Sequence, residues 1–296
     1  MQDTPNTQFA IRILLAFLVV TGTSKGRAAQ MDLHFRTVND HLIVASLQSA
    51  QKEDFDFILD TGADTTIIDS SLAQSLGFQA IDRIPQTTLS GVQMVTRGSI
   101  TGLAVGSSRV DHLLVLVEDL SALRRIDGKI RGIAGQNFLA HFNYLLDYRK
   151  HIITFEESAE INGAVAGQRV PVDARENRML VTLETQNQKS LTLMLDSGAS
   201  SVVLLRAASQ VIEPERQTTA VLVTSSGHAE AMKGTIRALE VGGEHLRNVP
   251  ATASTAQPSE HVGDGMLPTS LFQSLYVNNR ESFVVFNPRV ARQATR

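Results

Sequence analysis

Short apolar runs, separated by polar and glycine-bearing stretches, fill most of this chain. Many alternate with the period of two expected of half-buried strands. His41–Leu47, Phe55–Leu59, Leu180–Leu183 and Leu191–Leu195 predict strands bounded by polar residues, and Leu113–Val117 and Phe283–Phe286 predict buried ones. Helical spacing is scarce. Ser70–Leu76 predicts one short helix, with Asp69 or Ser70 as N-cap and Gly77 as its stop. Leu205–Gln210 holds the matching place later in the chain, and Phe138–Phe142 with Leu271–Leu275 predict a second matched pair. The pattern is that of an all-β protein with few short helices.

Two of the predicted strands end in the same phrase. Ile58-Leu59-Asp60-Thr61-Gly62-Ala63 and Met194-Leu195-Asp196-Ser197-Gly198-Ala199 each run from apolar residues into an Asp, a hydroxyl residue, Gly and Ala. At average residue usage, Asp-Thr/Ser-Gly-Ala arises at roughly one position in 30,000. The same offset carries Gly91 onto Gly227, Arg97 onto Lys233, Gly98 onto Gly234, Ile100 onto Ile236 and Gly106 onto Gly242. The chain is an internal duplication in which each copy contributes one carboxylate. Late in each half the alignment slips, as expected of small deletions in surface loops. The boundaries read as a first lobe at 32–157, a linker at 158–170, a second lobe at 171–287 and a tail at 288–296. A repeat alone explains the shared glycines. It does not explain an acid at the end of a strand in both halves, because folding rarely demands a buried pair of carboxylates.

The Asp-Thr/Ser-Gly phrase resembles that of the aspartic proteases, in which two lobes each supply one catalytic Asp. Ile58 to Thr65 is closer to the retroviral-type branch than to the pepsin branch. Gly132-Ile133-Ala134-Gly135 is similar to the apolar-apolar-Gly element that threads behind the catalytic loop. The resemblance implies two acid-protease-type β-barrel lobes related by a pseudo-two-fold axis, a retropepsin-like dimer fused into one chain. It implies Asp60 and Asp196 as the catalytic pair, with Thr61, Gly62, Ser197 and Gly198 supporting the active-site loops. Thr61 and Ser197 would donate across the axis. Gly91 and Gly227, each at the same distance beyond its Asp, are expected in two flaps that bind substrate, and an ordinary hairpin turn is the alternative for each. Neither flap segment holds a Tyr or Trp, which favours two small flaps over one dominant flap.

Two carboxylates in contact cannot both ionise easily, so they share a proton. The ionised partner can take a proton from water while the protonated one polarises a peptide carbonyl. Neither a metal nor another cofactor is needed. Asp64 is a third nearby acid, matched by Ser200, and that asymmetry predicts a structural or surface role. In the second half Pro268 replaces Gly135, and proline lacks the N–H and cannot take positive φ. The supporting loop of that lobe must differ. The alternative function is therefore a catalytically impaired module of the same fold that binds peptides without cutting them.

Composition narrows the rest. Of 296 residues, 43% are hydrophobic and 19% charged, with a net charge of −3 and no block of one sign, so no nucleic-acid or anionic-membrane surface is expected. The absence of cysteine removes disulfides and thiol nucleophiles. Eight scattered histidines form no His-Glu-x-x-His zinc motif. Arg12, the apolar run Ile13–Val20 and the small residues Gly26 and Ala28 follow the order of a secretory signal over 1–28, too short in its apolar run to span a bilayer. Gly22-Thr23-Ser24-Lys25-Gly26 matches a Gly-x-Ser-x-Gly elbow, but it lies in that leader without the strand and helix an elbow requires. The expectation is a periplasmic or secreted monomer acting on an extended peptide or protein substrate.

Overall fold

A computed structural model of the protein describes residues 30–88, 91–156, 160–213, 218–224, 227–254 and 263–290. The leader expected over 1–28 lies outside the described residues, as does most of the tail.

The predicted strands are present, most of them longer than the apolar runs that announced them. Leu42–Ser49 pairs with Asp54–Leu59, and Arg178–Thr185 pairs with Ser190–Asp196, so each Asp motif is reached by the second strand of a hairpin. Each lobe closes on itself at equivalent positions. Gln48 and Ser49 pair with Ala104 and Leu103, while Glu184 and Thr185 pair with Glu240 and Leu239. Behind each Asp strand runs a parallel partner: Leu59 lies beside Ala134, and Leu195 beside Leu267. These matched registers are the pseudo-two-fold symmetry, and the fold is all-β with two similar lobes.

The lobes are joined by backbone as well as by side chains. Asn143–Asp147 of the first half pairs antiparallel with Ser274–Asn278 of the second, with Leu146 opposite Leu275 and Leu145 opposite Tyr276. Val170–Pro171 adds to the outer edge of the same sheet through Phe283, and Val165–Ala166 pairs with Arg289–Val290. Parts of the expected linker and tail therefore carry ladder bonds. One continuous apolar cluster, which includes Leu47, Phe57, Leu146, Leu193 and Leu275, runs through both halves.

The short helices depart from expectation. Ser70–Leu72 is a single 3₁₀ turn capped by Asp69, which accepts from the Ser71 N–H at 3.0 Å; Gly77, at φ +64°, ends the turns that follow. Arg206–Val211 is likewise 3₁₀. Gln136–Leu139 forms a helix, but Leu271–Leu275 does not: a 3₁₀ turn at Thr269–Leu271 gives way to the strand Ser274–Asn278. Leu275, Tyr276 and Val277 suit a strand, and the inter-lobe ladder satisfies their backbone groups.

Candidate active site

The Asp60 N–H donates to the Ala134 carbonyl at 3.0 Å, which fixes the point where the chain leaves its strand. The chain then turns sharply, and the Gly62 N–H donates to Asp60 Oδ1 at 2.8 Å. The second lobe repeats this with Gly198 N–H on Asp196 Oδ1, also at 2.8 Å. The two turns meet on the pseudo-two-fold axis. Thr61 Oγ1 donates to the Leu195 carbonyl at 2.9 Å and accepts from the Ser197 N–H at 3.0 Å. Ser197 Oγ donates to the Leu59 carbonyl at 2.8 Å and accepts from the Thr61 N–H at 3.0 Å. Four buried hydrogen bonds thus lock each loop to the opposite lobe.

Gly62 and Gly198 are required by contact with the opposite carboxylate. A Cβ on Gly62 would lie 2.5 Å from Asp196 Cγ, and one on Gly198 would lie 2.9 Å from the nearer carboxylate oxygen of Asp60. Asp60 and Asp196 are within hydrogen-bonding reach of each other. Burial pushes the Asp60 carboxyl above its ordinary value, against the pull of the Gly62 N–H. Asp196 is pushed further, by burial first and then by the charge of Asp60. Such a pair holds one proton between two acids and titrates as a unit.

The crossed hydroxyls supply a direct test. Thr61→Val keeps the shape but strands the Ser197 N–H and the Leu195 carbonyl, two buried groups at roughly 1–3 kcal/mol each. We expect a loss of about 3 kcal/mol in urea denaturation, and near-complete retention of stability in Thr61→Ser, which copies the residue of the second lobe.

Pro268 sits where expected, and its consequence is local. In the first lobe the Gly135 N–H donates to Thr66 Oγ1 at 3.2 Å, and Asn137 Oδ1 accepts from both the N–H and the hydroxyl of Thr66 at 2.8 Å each. The duplication carries Gly135 onto Pro268 and Thr66 onto Val202, so donor and acceptor disappear together. The strand register survives: Ile67 pairs with Ile133 and Val203 with Met266. Replacing both partners of a buried bond by apolar groups is close to neutral, whereas restoring one alone is costly. Pro268→Ala should therefore destabilise by about 2 kcal/mol, and Val202→Thr in the same chain should recover most of that; urea midpoints of the four variants close the cycle.

Several residues at the site escaped the sequence reading. Arg178 reaches across from the second lobe to Asp64 Oδ2 at 2.7 Å, and its equivalent in the first lobe is Leu42. Asp64 thus has an inter-lobe partner that its mirror position, Ser200, lacks. Tyr148 of the first half hydrogen-bonds Thr269 Oγ1 at 2.6 Å, directly behind Pro268. The reciprocal residue, Asn279, accepts from Gln136 Nε2 at 3.1 Å and donates to the Phe142 carbonyl at 2.6 Å. The segment supporting each Asp loop is braced from the other lobe. The signal for these was the mismatch between the halves at aligned positions.

Gly91 and Gly227 lie in two long hairpins, Gln79–Thr88 with Gly91–Val105 and Thr218–Thr224 with Gly227–Val241. Their φ values of +134° and +153° fall where glycine is favoured. Residues 89–90 and 225–226, at the tips, lie outside the described residues. Among the described residues no helix is long and apolar enough to cross a membrane, and no three acids or histidines converge as a metal site.

Two β lobes, each ending a strand in an Asp loop tied to its twin by crossed hydroxyls, define the aspartic-peptidase class. A family model described as aspartyl protease matches the chain twice, over residues 45–138 and 181–271, together more than half of its length. The chain belongs to this family, as a two-lobed, single-chain retropepsin-like member. Comparison with curated proteins gave no match.

Proposed function

We propose that the protein is an aspartic endopeptidase that hydrolyses peptide bonds with water activated between Asp60 and Asp196. The observation that carries this reading is the facing pair of carboxyls, each set against the opposite lobe's glycine and each raised above its ordinary value by desolvation. The ionised member takes a proton from water as its hydroxyl bonds to the peptide carbonyl carbon, and the protonated member gives its proton to the carbonyl oxygen. The diol then collapses as the C–N bond breaks and the proton taken from water passes to the amine nitrogen, without an acyl-enzyme. Gly91 and Gly227 belong to flaps whose backbone pairs with an extended substrate. No homodimer is needed to assemble the pair. The leader over 1–28 directs export to the periplasm or beyond.

Digestion of a mixed peptide pool from acidic to neutral pH, read by mass spectrometry, tests the reading. Internal cleavage is expected with a bell-shaped pH profile, whose alkaline limb lies above the ordinary carboxylate range because the dyad's second proton is held by burial and by its neighbour's charge. A folded protein that cuts no peptide at any pH would overturn it. The non-cleaving peptide-binding alternative drew on Pro268, and the paired change at Val202 weakens that ground.

A further inference from the structure

The two sides of the cleft are built from unequal apolar walls. In the first lobe, alternation turns Leu59 into the main core and Ile58 to the other face, where it packs with Ile133 and Val95 in a separate cluster. Ala63 of the Asp60 loop and Ile84 of the flap hairpin pack on the same cluster. It therefore joins the Asp60 loop to the stem of the flap hairpin.

The second lobe keeps this plan with different side chains. Ile58 and Ile133 are replaced by Met194 and Met266, paired in the same parallel register. On the flap stem, the directly opposed pair Ile84 and Val95 becomes Ala220 and Ala231, again in the same register. Leu116, beside Ile67, becomes Thr252 beside Val203. The corresponding cluster shrinks among the described residues to Leu180, Met194, Val203 and Leu205, with Met266 packed against it. Neither alanine of the stem belongs to it.

We infer that the second lobe carries the larger side-chain pocket of the cleft, and that it selects a bulky apolar or aromatic residue on one side of the scissile bond. The first lobe, filled by Ile84 and Val95, takes a small residue on the other. Two alanines in place of Ile and Val leave five fewer carbons on the stem. Met194 and Met266 stand where Ile58 and Ile133 stand in the first lobe, and their unbranched chains can adjust to an aromatic ring and contact it favourably through sulfur. This inference rests on the peptidase reading and names its substrate class.

The test uses the full chain on a peptide pool, with the residues flanking each cut read by mass spectrometry. One flanking position should be enriched in Phe, Tyr, Leu and Met, and the other in Ala and Val. Ala220→Ile with Ala231→Val rebuilds the wall of the first lobe. Its large-over-small selectivity should fall about tenfold, because a methylene or two in an apolar pocket is worth at least that. Ala220→Ile alone, at a half-buried site, should give part of the fall if the double variant does not fold. Equal size preference on both sides of the cut would overturn the inference, as would unchanged selectivity in a folded filled variant. Absence of any cleavage would instead overturn the peptidase reading. The pocket would then be read by binding of fluorescent Phe- and Ala-containing peptides to Asp60→Asn, where equal affinity again overturns the inference.

Discussion

Asp60→Asn and Asp196→Asn should each abolish peptide cleavage, with a loss beyond about 10⁴-fold, while the protein stays folded. An amide can neither take a proton from water nor hold the shared one, and groups that act as a unit lose far more than the 10²–10⁴-fold of a lone acid–base contribution. Stability should move in the opposite direction. Both carboxyls are raised in the folded state by burial, and Asp196 also by the charge of Asp60. Between the ordinary carboxylate value and the raised ones, the folded form holds more protons than the unfolded form, so stability falls as pH rises through that window. Either Asn variant removes a proton-binding site and the like-charge conflict. Its melting temperature should exceed that of the unsubstituted protein at neutral pH, with the gap closing at acidic pH. Activity surviving in Asp196→Asn alone would reject a mechanism with one acid from each lobe.

Gly62→Ala should be nearly as damaging, through geometry instead of charge. The new methyl would enter the space of the Asp196 carboxyl, with 2.5 Å to Cγ and 2.6 and 2.8 Å to its oxygens. Neither side can give way cheaply, because the loop is pinned by the four crossed hydrogen bonds. Overpacking of this kind costs about 3 kcal/mol. A displacement of the carboxyl by an ångström costs about 10²-fold or more in rate. Gly198→Ala meets Asp60 at 2.9–3.0 Å and should be milder in both readouts. Parallel measurement of kcat/KM and urea midpoint ranks the two; equal or reversed severity would contradict the geometry.

The sequence was most legible where local pattern and chemistry coincide. Phe55–Leu59 and Leu191–Leu195 read as strands because alternation ends abruptly in Asp, and both motifs sit at the ends of strands. Leu271–Leu275 misled for a physical reason. A short apolar run serves a helix or a strand equally, and the arbiter here is pairing with Leu145 and Leu146, far away in the chain. The braces around the site were illegible for the same reason. Arg178 beside Asp64, and Tyr148 on Thr269, join residues of different halves, and no periodicity within one half reports on them. Pro268 was visible but incomplete, since its meaning depends on Val202, which only the strand register brings alongside.

The bridge between Arg178 and Asp64 exists once, on one side of the axis. Its consequence concerns how the halves recognise each other. Two copies of the first half would set Asp64 beside Leu42, a carboxylate with no cation to meet it. Two copies of the second would set Arg178, whose side chain is only 15% exposed, beside Ser200, leaving its guanidinium with Glu176 of its own half and no partner across the axis. Only the unlike pairing forms the bridge across the axis. Divergence of the two repeats has thus made each half a better partner for its sibling than for itself, and separated halves mixed in solution should sort into heterodimers.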